Sequence, residues 1–183
     1  MHFKILSFVC FAIFVFPNIL TAEHIKKENI PHSVMVAILK NECLREDGRL
    51  YPYFIRINRS GDANRLKKLG INIELGHILK CYSPRECAKD TKFLLALGIN
   101  NLDLGPFQIN YKYHHYRWKN KSLEGYFDPS LAEDRARDIV VGLINRYGYS
   151  WETLGRYNHY NPKNKTKNRI YYSRLYKHIY EAH

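Results

Sequence analysis

Glu42 stands where a charged residue is unexpected. Val34, Ile38 and Glu42 fall at i, i+4 and i+8 of VMVAILKNECL, a stretch without Gly or Pro that has helical periodicity. The pattern predicts a helix, capped by Ser33, whose glutamate shares a face with two buried aliphatic residues. Burial disfavours a charged carboxylate and raises its pKa, which suits a general acid. The alternative is a structural carboxylate paired with a buried arginine or lysine.

A second group of candidate residues lies in DLGPFQIN, residues 103–110. Gly105 has no side chain, so a substrate could approach its backbone. Gln108 and Asn110 carry amides that could bind sugar hydroxyl and acetamido groups, and Phe107 offers an apolar wall. A tight turn made of ordinary core residues is the alternative interpretation.

A third group lies in GRYNHY, residues 155–160, where Tyr157 and Asn158 could add a hydroxyl and an amide to the same cleft. These stretches need a scaffold, and the chain between them is mainly helical in pattern. Periodicity, capping residues and terminal glycines predict four further helices. These are RECAKDTKFLLALG ending at Gly98, FDPSLAEDRARDIVVGLINRYG with Ser130 near its start and Gly148 at its end, a short helix in 151–157, and a final helix containing Ile170, Leu175 and Ile179.

The first 22 residues resemble a secretory signal peptide. A basic start, MHFK, precedes the apolar run ILSFVCFAIFVF, then Pro17 and a small residue, Ala22, at a cleavage point. A membrane anchor is the alternative, but the run is shorter than the roughly 20 apolar residues of a spanning helix. We therefore expect a mature chain that begins at residue 23 and is exported.

Charge and cysteines narrow the class of protein further. The chain has a formal net charge of +12, which favours a polyanionic partner. Export argues against nucleic acid and for an acidic envelope polymer. Three cysteines lie outside the signal sequence: Cys81 and Cys87, separated by the turn-forming SPRE, predict a local disulfide, which leaves Cys43 free. The scattered histidines and cysteines do not predict a metal site.

The order of these motifs resembles the lytic transglycosylases that carry a goose-lysozyme-like domain. The closest resemblance is to the small specialised ones associated with type III and type IV secretion, conjugation and pilus machines. AILKNE resembles the family's helix ending in its catalytic glutamate, and ALGINNLDLGPFQIN resembles its G-x-N-x-D-L-G-x-x-Q-I-N signature. FDPSLAEDRARDIVVGLINRYG and YSWETLGRYN follow in the expected order, and IYYSRL resembles the closing Y-x-x-R motif, so the likeness covers most of residues 33–180.

The resemblance implies a single, mainly α (α+β) lysozyme-like domain over residues 33–183. A leader at 23–32 precedes it, and residues 45–87 would form an inserted lobe tied by Cys81 and Cys87. The composition of residues 45–80, with Pro, several Gly and dense charge, indicates a loop-rich region with one hairpin or short helix. The implied reaction cleaves the β-1,4 bond between N-acetylmuramic acid and N-acetylglucosamine and closes a 1,6-anhydro ring, without a cofactor. The implied partners are peptidoglycan strands and components of a secretion, conjugation or pilus machine, in the periplasm.

The resemblance also assigns roles to single residues. Glu42 matches the catalytic acid and base, and Tyr157 matches the tyrosine that orients it. Gly105, Phe107 and Gln108 match the floor of the cleft. The supporting residues are Asn158 and Tyr171.

The sequence departs from the family pattern at four positions. Cys43 replaces the serine that usually follows the glutamate, Pro106 replaces a leucine, and His159 and Tyr160 replace small residues. Two other functions stay open. One is a muramidase that uses water, and the other is a non-catalytic assembly factor that keeps the cleft. The muramidase needs a second carboxylate, for which the candidates are Glu46, Asp47, Asp62 and Asp103.

Overall fold

The computed structural model describes residues 25–44, 50–158 and 165–180. The expected signal peptide, and the candidates Glu46, Asp47, His159 and Tyr160, lie outside the described residues. Within these ranges the fold is mostly helical with one small antiparallel sheet, so the α+β prediction is confirmed at that level. The helices are α1 (His32–Cys43), α2 (Ser60–Lys68), α3 (Pro84–Ala96), α4 (Tyr111–His114), α5 (Pro129–Tyr147), α6 (Trp151–Gly155) and α7 (Lys165–Tyr180). The strands are β1 (Phe54–Ile57), β2 (Ile78–Lys80), β3 (Leu102–Leu104) and β4 (Ile109–Asn110).

Helix α1 carries Glu42 as its penultimate residue. The helix begins at His32 directly after Pro31, so the prediction that Ser33 caps it is wrong, and Ser33 lies in its first turn. Pro31 suits this position because it has no N–H group to leave unsatisfied. Val34, Ile38 and Glu42 are all buried, as the periodicity predicted.

Helices α3 and α5 follow the predicted patterns closely. Ser83 caps α3 by accepting a hydrogen bond from the Glu86 N–H group, and the helix gives way to Gly98 at a φ of +77°. Asp128 caps α5 in the same way through the Leu131 N–H group. The apolar stripe of α5 is buried: Ala136, Ile139, Val140 and Leu143.

Helix α7 packs against α1 and α6. Its buried residues are Tyr171 and Leu175. Ile170, which belongs to the predicted periodic set, is instead 51% exposed. Within the described part of the chain, no helix is long and apolar enough to cross a bilayer.

The four strands pair in the order β2-β1-β3-β4, all antiparallel. One face of the sheet is apolar and enters the core through Ile55, Ile57, Leu102, Leu104 and Ile109. Because side chains alternate along a strand, the intervening residues lie on the opposite face. Directly paired residues on that face include Arg56 with Asp103, and Asp103 with Asn110.

Residues 45–87, predicted to be an inserted lobe, contribute directly to this sheet. They supply β1 and β2, and β1 is the neighbour of β3, the strand that carries the start of DLGPFQIN. The segment also contains the Cys81–Cys87 disulfide that the spacing predicted, with a Cα–Cα distance of 5.3 Å, and Cys43 is free and buried. This segment therefore forms part of the sheet that positions the motif.

The turn between β3 and β4 depends on Gly105. Its φ is +68°, and a Cβ atom there would overlap the carbonyl oxygen of Tyr126. We expect Gly105→Ala to lower the free energy of unfolding by about 3 kcal/mol, through backbone strain and overpacking. Urea unfolding measures this change.

Gly98→Ala is the matched control. Gly98 has a similar φ of +77° but open space around the added Cβ atom. We expect Gly98→Ala to lower the free energy of unfolding by about 1 kcal/mol, through backbone strain alone. Equal losses in the two variants would show that the contact with Tyr126 does not constrain the turn.

Candidate functional site

The Glu42 carboxyl group is the centre of a buried polar cluster. The residue is 8% exposed at the end of α1. Burial raises its pKa from 4.5 to about 7, against the opposing effects of Tyr171, Arg56 and Asn158. The nearby carboxylate of Asp103 raises the pKa further. Glu42 can therefore hold or release a proton near neutral pH, as a general acid and base must.

Two side chains from the C-terminal part of the chain contact this carboxyl group. Asn158 donates a hydrogen bond from Nδ2 to Glu42 Oε1 over 3.4 Å. The buried Tyr171 hydroxyl of α7 lies beside the same group, and its interaction with the carboxylate lowers the pKa of Glu42. Among the described residues, Tyr171 Oη has no hydrogen-bond partner of full geometry, so the hydroxyl and the carboxyl group are close without a well-formed hydrogen bond.

Tyr157 has a different contact from the one that the resemblance implies. Its hydroxyl donates to the backbone carbonyl of Phe107 over 2.8 Å. Burial raises the pKa of Tyr157 well above its ordinary value, and the Glu42 charge adds to this effect, so the two groups are close. Tyr157 thus holds the β3–β4 turn beside the end of α1, and the hydroxyl that acts on Glu42 is that of Tyr171.

The DLGPFQIN turn is held by internal contacts. Gly105 is needed because the Tyr126 backbone packs against it, and the Phe107 side chain is buried in the core. Neither provides the open floor or apolar wall expected from the sequence. Gln108 adopts a φ of +46° and donates from Nε2 to the Gly105 carbonyl over 2.7 Å.

Gln108 nevertheless keeps an unused polar atom. Its Oε1 is buried and, within the described residues, has no hydrogen-bond partner. An unsatisfied buried acceptor costs free energy, and such atoms in native structures often await a water or ligand. Gln108 Oε1 is therefore the polar atom of this turn whose capacity to accept a hydrogen bond is unused.

Asn110 fixes a carboxylate beside the cluster. Its Nδ2 donates to Asp103 Oδ1 over 2.7 Å and to Asn101 Oδ1 over 3.1 Å, and its Oδ1 accepts from the Tyr113 N–H group. With both its donor and acceptor atoms engaged, Asn110 positions Asp103 in the site. Burial raises the pKa of Asp103 above its ordinary value, and the nearby amides of Asn58 and Asn110 and the charge of Arg56 oppose that rise.

Arg56 is the site residue that sequence reasoning did not find. It lies opposite Asp103 in the β1–β3 register, and its charge lowers the pKa of both Asp103 and Glu42. The signal was the alternation of Phe54–Ile57, in which an arginine interrupts an apolar strand. Of the other candidate carboxylates, Asp62 lies in the first turn of α2.

Two further features bear on the chemistry near Glu42: the Cys43 thiol next to it in the chain, and the supply of His, Cys, Asp and Glu side chains for binding a metal ion. Cys43 is the free cysteine, and burial raises the pKa of its thiol to about 12, so it stays protonated at neutral pH. Within the described ranges, no group of three or more His, Cys, Asp or Glu side chains could hold a metal ion.

Comparisons with protein-family models, with curated proteins and with solved structures found no match. The functional argument therefore depends on the geometry of the described residues. Three separate sequence stretches meet here, at the end of α1, at the β3–β4 turn and after α6. The strand β1 adds Arg56 to them.

The raised pKa of Glu42 predicts a pH-dependent stability. Because the folded state binds this proton more tightly than the unfolded state, the free energy of unfolding should fall as pH rises from about 4.5 to about 7. Across that pH window, the free energy of unfolding of the parent protein should fall by about 3 kcal/mol more than that of Glu42→Gln. Urea unfolding at a series of pH values measures the difference. The exposed Glu28→Gln serves as control, and an identical pH dependence in parent and Glu42→Gln would contradict the prediction.

Substitutions of Tyr171 and Tyr157 should have different effects on the pKa of Glu42. Tyr171→Phe removes the hydroxyl that favours the carboxylate, so the pKa of Glu42 should rise above about 7. Tyr157→Phe removes the hydrogen bond to Phe107 and should cost about 1 kcal/mol of stability with a smaller change at Glu42. Carbon NMR of the carboxyl groups reports the first effect and urea unfolding the second. A larger rise of the Glu42 pKa in Tyr157→Phe than in Tyr171→Phe would instead identify Tyr157 as the orienting residue.

Proposed function

We propose that the protein is an exported peptidoglycan lytic transglycosylase. The observation that carries the proposal is Glu42, a buried carboxyl group with a pKa raised to about 7, at the meeting point of the three stretches that resemble that family's motifs. A general acid must hold its proton until the substrate needs it. The pKa of Glu42 allows this near neutral pH.

The same carboxyl group can serve both steps of the reaction. Protonated Glu42 gives its proton to the glycosidic oxygen, and the bond between that oxygen and C1 of N-acetylmuramic acid breaks. The resulting carboxylate then takes the proton of the 6-hydroxyl group, whose oxygen forms a bond to C1. The ring closes as a 1,6-anhydro sugar, Glu42 regains its proton, and no water is consumed.

The fold supports this assignment at the level of architecture. The helix α1 ends in the acid, and a short antiparallel sheet carries polar residues on the face that bears Arg56 and Asp103. This arrangement of an acid-bearing helix beside a polar sheet face suits a lysozyme-like cleft. Gln108 Oε1 and Asn158 are then the groups that bind hydroxyl or acetamido groups near the bond that breaks.

The charge of the chain suits the proposed substrate and location. Peptidoglycan carries carboxylates on its peptides and lactyl groups, and the net charge of +12 would attract such a polymer. A signal peptide at residues 1–22 would deliver the enzyme to the periplasm. There it would open the wall locally during assembly of a secretion, conjugation or pilus machine.

A muramidase is the second candidate, and Asp103 is the observation that favours it. Asp103 is a hydrogen-bonded carboxylate whose charge acts on Glu42. A hydrolase of this kind uses a second carboxylate to stabilise the sugar cation or to activate water. The two candidates share Glu42 as acid and differ in the group that attacks C1.

The test is to digest isolated peptidoglycan in water enriched in heavy oxygen and to identify the muropeptides by mass. A transglycosylase releases anhydro-muropeptides that carry no heavy oxygen. A muramidase releases reducing ends that do carry it. We expect anhydro products from the parent, and a loss of at least a hundredfold in Glu42→Gln, since general acid–base catalysis contributes on the order of 10² to 10⁴.

Two variants sharpen the result. Glu28→Gln removes an exposed carboxylate of α1's leader and should leave activity unchanged. Asp103→Asn should retain anhydro products if Glu42 acts alone and should abolish cleavage if water is the nucleophile. Parental cleavage in Glu42→Gln would overturn Glu42 as the acid of either enzyme, and no products from any variant would favour the non-catalytic assembly factor.

A further inference from the structure

Three aromatic side chains form an exposed cluster where α6 meets α7. Trp151 begins α6, and Tyr176 and Tyr180 lie one turn apart at the end of α7. The ring centroids of Trp151 are 5.6 Å from Tyr176 and 6.3 Å from Tyr180, and those of the two tyrosines are 4.7 Å apart. Tyr176 is nevertheless 47% exposed and Tyr180 59% exposed. Adjoining aromatic rings on a surface are typical of a binding site.

The cluster continues along α7 as a stripe of basic and aromatic residues. One side of the helix carries, at spacings of three or four residues, Lys165, Arg169, Tyr172, Tyr176 and Tyr180. We call these five residues the α7 stripe. Tyr172 is partly buried and the other four are exposed. At a rise of roughly 1.5 Å per residue, the stripe is about 22 Å long.

The charge around the α7 stripe is almost entirely positive. Helix α7 contains five Lys and Arg residues and no Asp or Glu. Residues 146–180 contain eight Lys and Arg residues and one acidic residue, Glu152. Within the described ranges, neither Lys165 nor Arg169 forms a salt bridge. The stripe therefore attracts an anionic partner.

Helix α6 gives the stripe a fixed base. Ser150 caps α6 by accepting a hydrogen bond from the Thr153 N–H group over 3.1 Å. Asn168 of α7 donates from Nδ2 to the Glu152 carbonyl over 3.2 Å, and it packs so closely on Gly155 that a Cβ atom there would overlap it. Because α6 and α7 are held together, the aromatic rings are ordered before a ligand arrives, which lowers the entropic cost of binding.

The α7 stripe lies on a different side of the helix from the Glu42 site. The buried residues of α7 are Tyr171 and Leu175, and Tyr171 is the one beside Glu42. Since successive residues of a helix are about 100° apart, Tyr176 lies about 140° around the helix axis from Tyr171. A ligand can therefore bind along the stripe without occupying the Glu42 site.

We propose that the α7 stripe, together with Trp151, binds an anionic glycan strand outside the Glu42 site. The aromatic rings stack on sugar rings, the tyrosine hydroxyls bond to sugar hydroxyls, and Lys165 and Arg169 bind carboxylates that the strand carries. Peptidoglycan is such a strand, and its choice rests on the proposed function. The stripe has no aliphatic residue to insert into a lipid surface, and the export expected from the sequence argues against nucleic acid.

The experiment measures cosedimentation of the full chain with isolated, insoluble peptidoglycan, in a Glu42→Gln background so that the strand is not cut. Tyr176→Ala combined with Tyr180→Ala should raise the Kd at least about tenfold, because the stacking of a planar ring on an aromatic side chain contributes roughly that much. Tyr176→Phe combined with Tyr180→Phe keeps the rings and should retain most of the affinity. Tyr82→Ala removes an exposed tyrosine elsewhere and should leave the Kd unchanged.

A pair of charge variants tests the basic end of the stripe. Lys165→Gln combined with Arg169→Gln should weaken binding and make the Kd less dependent on salt, since fewer charged contacts form. Lys67→Gln combined with Lys68→Gln removes the same charge from the exposed end of α2 and should have a smaller effect. Equal losses in the two pairs would mean that only the net charge attracts the strand, and would overturn the proposal.

Urea unfolding of each variant separates binding from folding. The aromatic cluster packs α7 against α6, so the alanine pair at Tyr176 and Tyr180 also lowers the free energy of unfolding. If that pair does not fold, the charge variants still decide, because parental affinity in the pair at Lys165 and Arg169 would contradict the proposal.

Two other anionic ligands test the choice of a glycan. They are single-stranded DNA and vesicles of phosphatidylglycerol. We expect the stripe variants to lose more affinity for peptidoglycan than for either of these. A loss of DNA or vesicle binding with unchanged peptidoglycan binding would overturn the glycan assignment and make the stripe a surface for that other ligand.

Activity separates this inference from the proposed function. If the protein releases muropeptides, the alanine pair should raise KM for intact peptidoglycan and leave kcat/KM for short soluble muropeptides unchanged, because a short fragment does not reach both surfaces. If the parent releases none while the stripe variants lose binding, the glycan surface stands and the lytic reaction is wrong. If cleavage depends on Glu42 but the stripe variants bind as the parent does, the reaction stands and the glycan surface is wrong.

Discussion

The desolvation of the Glu42 carboxyl group is the constraint on which the rest of the cluster depends. Burying a charge is costly unless it is paired, and this carboxyl meets the constraint by holding a proton near neutral pH. Arg56, Tyr171 and Asn158 each oppose the effect of burial without outweighing it. If these groups favoured the carboxylate form more strongly, Glu42 would be ionised in an ordinary ion pair. If they favoured it less, Glu42 would be an acid unable to release its proton. The observed balance allows the group to act in both directions.

The pairing of β1 with β3 places Arg56 and Asp103, which have side chains of opposite charge type, directly opposite each other. A strand alternates its faces, so a β1 that buries Ile55 and Ile57 must turn Arg56 to the other side. The register with β3 then places Asp103 opposite that arginine. The polar pair is thus a direct consequence of the apolar pattern that fills the core. Residues 45–87, which the sequence predicts to be an inserted lobe, supply two of the four strands of this sheet.

Sequence reasoning succeeded where the pattern was long and local. The helices α1, α3 and α5 each have a clear apolar period, and α3 and α5 carry side-chain caps, so they could be predicted within a few residues. Strands of two to four residues are too short to show a period, so the sequence indicated only one hairpin or short helix between residues 45 and 80, and β3 and β4 were not predicted. The sequence also could not show which residues distant along the chain contact each other in the fold. Tyr157 and Tyr171 are both plausible neighbours of Glu42, and only the packing of α7 on α1 distinguishes them.

The motif DLGPFQIN illustrates how structural and chemical roles share one stretch. Gly105 and Phe107 serve packing, and Asn110 uses its donor and acceptor atoms to hold Asp103 and cap α4. Since these residues build the turn, Gln108 Oε1 is the polar atom of the turn that has no hydrogen-bond partner among the described residues. A residue type typical of binding can therefore mark a position that only supports the binding group. The same reasoning applies to Arg56, which lies outside every recognised motif and yet acts on both carboxyl groups of the site.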